Sequence, residues 1–523
     1  DEQKRSCAYD YEVLIVGTGW SGILTAIKLK DGGTPLDRIL MVDAADGPGG
    51  TWHWNKYPGC AVDNWSYAYF PYLGRTKFVP SKRFVGRDEI LAYINLLVDH
   101  ENLRDRMRFK RWVTGMVFDE REGMWRVEMV HGEEELDPYR AATDEDATEF
   151  VTARHVVLAG GPIAYPRKPD FPGLDKFKGI VQHTPRYDRS ISLAGKRVGV
   201  IGTGCSCAQV IESIGYHNHP KDVKELLVFQ RTPSWCLARE DEPTPDALRK
   251  QIMEEGDGPI KAVYYPQLLE FFRLSNHTED NEKLCDELTA NIRKSVKDPE
   301  TAEKLIPKGI AFFAKRPLIM DYYYEAYNNP RVKLIAEGGV AEADETGVRT
   351  VEGNHYDVDV LICGSGFDAF RPHVNKIVGR GGVELNDVWG FKPDTDPSTR
   401  IPRTLLGIHV PEFPNMYVVI GPQCLNPATM VTIISDHQAA HITSVITHAR
   451  ETNTTVEVDA DCAKLWTEEC GRQAIGKVWN DINNWYNKGG TYAAENNYWG
   501  TIPDYFGFVA DRKSSIKYRP MRS

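Results

Sequence analysis

The chain has 523 residues, 63 basic against 74 acidic for a formal net charge of −11, and 41% hydrophobic residues. It is too long for a single core and suits two or three domains, while the acidic balance without a sustained Lys/Arg cluster excludes nucleic acid as the main partner, because phosphate contacts supply most of that affinity. No apolar run approaches the roughly 18 residues of a membrane span, and the ten cysteines have no repeating spacing of a disulfide framework. The expectation is a soluble, cytoplasmic protein without metal, a monomer or weak homodimer, acting on a small molecule.

The first predicted unit opens with the strand YEVLIV, followed by Gly17-Thr18-Gly19-Trp20-Ser21-Gly22 and the helix-like ILTAIKLK. A lone GxGxxG is weak evidence, but this one stands between a strand and a helix, the context the motif needs. Its first glycine makes the tight turn, its second lets the backbone approach a pyrophosphate, and the phosphates sit on unpaired N–H groups at the helix start. The second strand, RILMVD, ends at Asp43, about 20 residues past the last glycine, where a carboxylate accepts ribose hydroxyls.

Next come the polar and aromatic loop GGTWHWNKYPG and the helix-like DEILAYINLLVDH. Residues 108–160 read as strands separated by charged turns, a β-meander, with the acidic stretch Glu133 to Glu149 as a solvated hairpin loop. We take 1–160 as the first part of one dinucleotide domain, and 161–195, rich in proline and glycine, as a linker of the hinge type common between domains.

A second unit begins at KRVGV with Gly202-Thr203-Gly204-Cys205-Ser206-Cys207 and the helix-like AQVIESI. Here the strand ELLVF runs into Gln230-Arg231-Thr232-Pro233, with no acid. A carboxylate would repel a 2′-phosphate, whereas the permanently charged guanidinium pairs with it. The first site therefore reads as FAD and the second as NADPH. Residues 196–238 and 308–368 form this second domain, 239–307 a helical insertion, and 369–523 the rest of the first domain and a tail covering the active site. The fold class is α/β, with two Rossmann-like domains.

The linker string Phe177-Lys178-Gly179-Ile180-Val181-Gln182-His183-Thr184-Pro185-Arg186-Tyr187-Asp188 resembles the fingerprint of type I Baeyer–Villiger monooxygenases, F-x-G-x-x-x-H-T-x-x-W-[PD]. GGTWHWNKYPG, QRTP, AKRP, CGSGFD and FPNMYVVIGP resemble further blocks of that family in its order, from about residue 10 to about 440. The resemblance implies an FAD- and NADPH-dependent enzyme that converts a ketone to an ester or lactone with O2, through a flavin peroxide. It implies that Arg316 stabilises that peroxide and the charge arising on the substrate, that Asp63 holds Arg316, and that Lys315 joins Arg231 at the 2′-phosphate. Gly49, Gly50, Thr51 and Trp52 would line the FAD, and Gly202, Gly204, Ser206 and Thr232 the NADPH. His183 is expected to tie the domains by hydrogen bonds rather than to act as acid or base.

Two positions depart from the family pattern. Tyr187 replaces the fingerprint tryptophan and keeps an aromatic ring, and Cys207, larger than the usual residue, is expected to push its helix slightly off the strand. Aromatic residues crowd the insertion (Tyr264, Tyr265, Phe271, Phe272) and the tail (Trp485, Tyr486, Tyr492, Tyr498, Trp499, Tyr505, Phe506), which suits either a roomy apolar pocket or an aromatic core. The tail is similar to that of fungal members acting on bulky or cyclic ketones. Competing readings are a nitrogen- or sulfur-oxidising flavin monooxygenase and a nucleotide-binding relative without catalysis; a flavin disulfide reductase lacks its cysteine pair here.

Overall fold

A computed structural model describes residues 9–131, 147–372, 374–391, 395, 400–425, 430–482, 497–511 and 515–520. Its largest sheet grows from β1 (Tyr11–Val16), β2 (Ile39–Val42), β3 (Met107–Arg108), β4 (Arg111–Asp119), β5 (Met124–His131) and β6 (Ala147–Leu158). β1 runs parallel to β2 and to the C-terminal half of β6, while the N-terminal half of β6 closes an antiparallel meander with β5 and β4. One long strand thus serves two sheets' worth of pairing. β1 and β2 are buried along nearly their whole length, as parallel strands covered on both faces must be.

β7 (Ile180–His183), β8 (Arg197–Ile201) and β9 (Glu225–Phe229) open the second sheet, β10 (Cys236–Leu237) and β11 (Leu318–Ile319) pair with each other, and β12 (Val332–Ile335) follows. A small meander of β13 (Val340–Ala343), β14 (Gly347–Thr350) and β15 (His355–Asp357) leads into β16 (Val360–Cys363). The second sheet is wholly parallel, in the order β12-β9-β8-β16-β7. The segment read as a linker therefore supplies an edge strand, β7, because Ile180 to His183 has the backbone partners Val360 to Cys363.

β17 (Lys376–Val378) then pairs with β4, and β18 (Met416–Val418) with β6, returning the chain to the first sheet. β19 (Thr454–Val458) and β20 (Ile516–Pro520) pair antiparallel. Between β10 and β11 stand the helices Asp246–Glu255, Gly258–Arg273, Glu279–Ser295 and Pro299–Leu305. Residues 132–146 lie outside the described residues, but Glu149, read as part of the solvated acidic loop, is in β6 and pairs with Arg108 and Arg111. Among the described residues no helix is long and apolar enough to cross a membrane.

Candidate active site

Each glycine loop sits where a parallel strand meets a helix. Gly17 has φ +111°, open to glycine alone, and a Cβ on Gly22 would lie 2.0 Å from the Gly17 carbonyl oxygen. The helix Trp20–Asp31 can therefore close onto β1 only with glycine at both places. Gly19 faces Gly50, whose added Cβ would meet the Gly19 Cα at 2.9 Å, and the Gly49 N–H donates to the Thr18 carbonyl at 3.0 Å. This crossing lays the Gly49–Trp52 turn against the phosphate loop. Thr51 is exposed there, whereas Trp52 is buried and donates its indole N–H to the Tyr69 hydroxyl at 2.8 Å.

Asp43 accepts the Thr18 N–H and hydroxyl on Oδ2 and the Ala45 N–H on Oδ1. It thus braces the loop, and Oδ1 retains acceptor capacity for a ribose hydroxyl.

At the second loop Gly202 has φ +103°, and a Cβ on Gly204 would meet nothing within 4 Å. The backbone is open to an incoming phosphate at the start of the helix Cys205–Gly215. The Thr203 hydroxyl donates to the Thr232 carbonyl at 3.2 Å, tying this loop to the end of β9. Ser206 is half-buried, facing Tyr57.

Cys207 does not require the helix to move off the strand. Its thiol is buried and lies where a Cβ on Gly364 would come, 2.3 Å away. The glycine of the CGSGFD turn leaves the room that the larger side chain takes.

Arg231 and Lys315, 84 positions apart by number, come together. Burial, and then the Arg231 charge, pulls the Lys315 ammonium down to about 8. Two cations within electrostatic reach of each other, Arg231 exposed and Lys315 part-buried, suit an anion. With open phosphate loops, a ribose-type carboxylate in one unit and paired cations in the other, the residues fit two dinucleotides, the second carrying an extra phosphate.

Asp63 and Arg316 meet as well, Arg316 Nη2 donating to Asp63 Oδ2 at 2.6 Å. Both side chains are about a quarter to a third exposed, 23% and 30%, so the pair is accessible to a bound molecule. Cys205, at the start of the second loop's helix, feels burial first and then both Arg316 and Asp63, which puts the pair beside the NADPH-type loop. Tyr57 and Gln209 cross the same junction: the Tyr57 hydroxyl donates to Gln209 Oε1 at 3.0 Å, and Gln209 Nε2 to the Ala61 carbonyl at 3.0 Å.

The fingerprint residues form a separate structure. The Phe177 ring covers Gly179, where a Cβ would meet it at 2.3 Å. His183 Nε2 is 2.9 Å from the Ser365 hydroxyl, and burial, then Arg186, lowers its imidazole to about 4. It is neutral near pH 7, and its partner lies in the turn after β16 rather than in the Asp63–Arg316 pair. Thr184 and Tyr187 are buried. Asp188 is exposed; its N–H donates to Gln182 Oε1, and its carboxylate accepts the Ser190 N–H.

The aromatic residues divide. Tyr498, Trp499 and Tyr505 are almost fully buried, and Tyr498 stacks on Trp466, so they build core. Phe271 packs on Phe312 and Phe313; Phe272 lies beneath Lys477, and Phe506 stacks on His437. Tyr264 stands near Asp63 and Arg316. Trp485, Tyr486, Tyr492 and the Tyr265 side chain fall outside the described residues.

Sequence reasoning passed over Gln209, Ser365 and Gly364. A polar residue inside the apolar helix AQVIESI and the Gly-Ser pair that opens the CGSGFD turn were the available signals.

Residues 67–247 match the flavin-binding monooxygenase-like family and residues 15–77 the NAD(P)-binding Rossmann-like domain. The chain is 31% identical to a 2-oxo-Δ3-4,5,5-trimethylcyclopentenylacetyl-CoA monooxygenase of Pseudomonas putida, over 91% of each chain. It is 30% identical to a Baeyer–Villiger monooxygenase of Penicillium patulum, over 84% of this chain and 75% of that one. Its fold matches the crystal structure of OTEMO in complex with FAD and NADP with a TM-score of 0.83 and 27% identity, over 98% of this chain and all (100%) of the other. Two dinucleotide folds joined at an Asp–Arg pair, in a chain alike over nearly its full length to these enzymes, make this protein a member of the type I Baeyer–Villiger monooxygenases.

Proposed function

We propose that the chain is an FAD-containing, NADPH-dependent monooxygenase that inserts one oxygen atom beside the carbonyl of a bulky or cyclic hydrophobic ketone, with Arg316 and Asp63 as its catalytic pair. The observation that carries this is the Arg316–Asp63 ion pair, 2.6 Å long, accessible, and beside the start of the second glycine-loop helix. When bound, NADPH supplies a hydride to FAD, and the reduced flavin with O2 supplies the oxygen atom.

The first domain, 1–160 and 369–523, holds FAD through Gly17, Gly19, Gly22, Asp43, Gly50, Thr51 and Trp52. The second, 196–238 and 308–368, holds NADPH through Gly202, Gly204 and Ser206, with Arg231, Thr232 and Lys315 at the 2′-phosphate. Phe177, Gly179, His183, Thr184, Tyr187 and Asp188 lie in the connecting segment 161–195, where β7 and the His183–Ser365 contact anchor its hinge to the second sheet. A soluble, cytoplasmic location accords with nine free cysteines among the described residues, and the protein is read as a monomer or weak homodimer.

Arg316 cannot lose its proton in the working pH range, so it stabilises negative charge developing on the substrate's carbonyl oxygen throughout turnover. Asp63, accepting from Arg316 Nη2 at 2.6 Å, keeps the guanidinium in place while leaving its remaining N–H donors for a bound molecule. The close crossing of Gly19 and Gly50 lays the Gly49–Trp52 turn against the first phosphate loop, where it would help to hold FAD.

The test is ester formation from cyclohexanone and a polycyclic ketone with NADPH and 18O2, in wild type and Arg316→Ala. Wild type should place one labelled oxygen in the ester. The variant should lose ester formation by about 100-fold or more, the usual effect of removing one such charge stabiliser, while still oxidising NADPH. Unchanged ester formation in Arg316→Ala would overturn the assignment, and no ester from either ketone, with N-oxide or sulfoxide formed when a tertiary amine or a thioether is supplied instead, would move it to heteroatom oxidation.

A further inference from the structure

A line of four side chains runs from the helical insertion to Arg316. Tyr264, on the helix Gly258–Arg273, donates its hydroxyl to Asn64 Oδ1 at 2.9 Å. Asn64 Nδ2 donates to Asp63 Oδ1 at 3.3 Å, and Asp63 Oδ2 accepts from Arg316 Nη2 at 2.6 Å. Each group can play only one part in this line. An ionised carboxylate only accepts, so Asn64 must turn its NH2 towards Asp63 and its carbonyl away. That carbonyl then needs a donor, and the Tyr264 hydroxyl is the donor present.

The tyrosine is itself fixed. It is 7% exposed, and its ring lies 5.2 Å from that of Trp65, over which the Arg83 guanidinium sits at 5.5 Å. Burial, and then the Asp63 charge, keeps the phenol protonated well beyond the physiological range, so the donor is never lost.

We propose that Asn64 and Tyr264 are positioning residues: they set the orientation of the Asp63 carboxylate and through it the place of Arg316, so that the helical insertion governs the catalytic arginine. This rests on the reading of Arg316 and Asp63 as the catalytic pair. Without the Tyr264 hydroxyl the Asn64 carbonyl loses its donor, and the amide, held only through its NH2 on Asp63, is free to swing about that one contact. The carboxylate would rotate, and a guanidinium displaced by about 1 Å is enough to cost up to 100-fold in rate.

The experiment uses the holoenzyme in four forms, wild type, Tyr264→Phe, Asn64→Leu and the double variant, with Arg316→Ala as reference. Ester formed per NADPH consumed is measured with cyclohexanone and a polycyclic ketone, alongside the KM for NADPH, the unfolding midpoint and a crystal structure of each variant. Tyr264→Phe keeps the ring against Trp65, so its unfolding midpoint should stay near that of wild type. Its ester yield per NADPH should fall about fivefold or more, with the KM for NADPH within about twofold, because Arg231 and Lys315 are untouched. Asn64→Leu should do the same, the double variant should be no worse than Asn64→Leu alone, and the crystal structures should show the Asp63 carboxylate turned from its wild-type position.

The proposal is overturned if Arg316→Ala loses the ester while Tyr264→Phe and Asn64→Leu keep the wild-type yield, if the two single effects multiply in the double variant, or if Asp63 is unmoved in the crystals. A wild-type yield in Arg316→Ala would instead bring down the reading of the catalytic pair, and the positioning role with it.

Discussion

Lys315 is the residue whose charge state the fold changes most usefully. With its ammonium drawn down to about 8 by burial and Arg231, it is charged at pH 7 and becomes neutral as pH rises through 8. On the proposed role of Lys315 at the 2′-phosphate, binding needs the charged form, so the KM for NADPH is expected to rise above about pH 8. Arg231→Ala removes the like charge, raises the Lys315 pKa and should move that inflection to higher pH, while Lys315→Ala should abolish it and raise the KM for NADPH about tenfold, the loss of one charge-assisted bond of about 1.5 kcal/mol. The KM for NADH should be almost unchanged in both variants. Steady-state kinetics across pH 6.5–9.5 with either nucleotide checks all three outcomes.

His183 is shifted in the same direction, and there the consequence falls on stability. Its imidazole lies near 4 in the fold, lowered by burial and by Arg186, against about 6.5 in an unfolded chain. The unfolded state binds the extra proton first, so the stability this residue contributes is complete above about pH 6.5 and is lost as pH falls from there towards 4. Replacing it by glutamine should flatten the fall of the unfolding midpoint between pH 7 and 5, and a melt at three pH values reads the difference.

Among the elements, the helix Cys205–Gly215 carries a matched pair that sequence spacing alone does not reveal. Gly364, after β16, is bare because the Cys207 thiol fills its Cβ position at 2.3 Å. Gly364→Ala is expected to destabilise by about 1–3 kcal/mol through overpacking. Cys207→Ala should open a small gap at a lesser cost, and the two together should recover most of the loss, since residues in contact are not additive. Chemical denaturation of the four forms measures that coupling, and a double variant as unstable as the sum of the singles would contradict the packing described.

β6 works on a larger scale. Its twelve residues join the meander to the parallel sheet, so the strand that follows the antiparallel turns also lines β1 beside the first glycine loop. β7 does the corresponding work for the second sheet, seating His183 at the sheet edge next to Ser365.

At the scale of the whole molecule the two dinucleotide folds meet across Tyr57, Gln209 and Ala61. Gln209 is buried and satisfied from the first fold on both ends of its amide. Gln209→Ala strands the Tyr57 hydroxyl and the Ala61 carbonyl, and should cost about 1–3 kcal/mol of stability. Adding Tyr57→Phe should cost less than it does in the wild type, because the Gln209 acceptor of its hydroxyl is already gone.

The sequence by itself determined the two glycine loops, the acid after one and the arginine after the other, because strand, tight turn and helix start are local and each needs its residues within a few positions. It also carried the family blocks, and with them Arg316 and Asp63 as a named pair. Only the tertiary structure decided what depends on distant contact: that Arg316 reaches Asp63 across 253 positions, that Lys315 stands near enough to Arg231 to feel its charge, that part of the segment read as a linker is a sheet strand, and that Gly364 makes room for Cys207. The reason is physical. A local pattern fixes the conformation of its own backbone, but a charge is paired, a thiol accommodated and an edge strand recruited by groups far along the chain that only the packed sheets bring within a few ångströms.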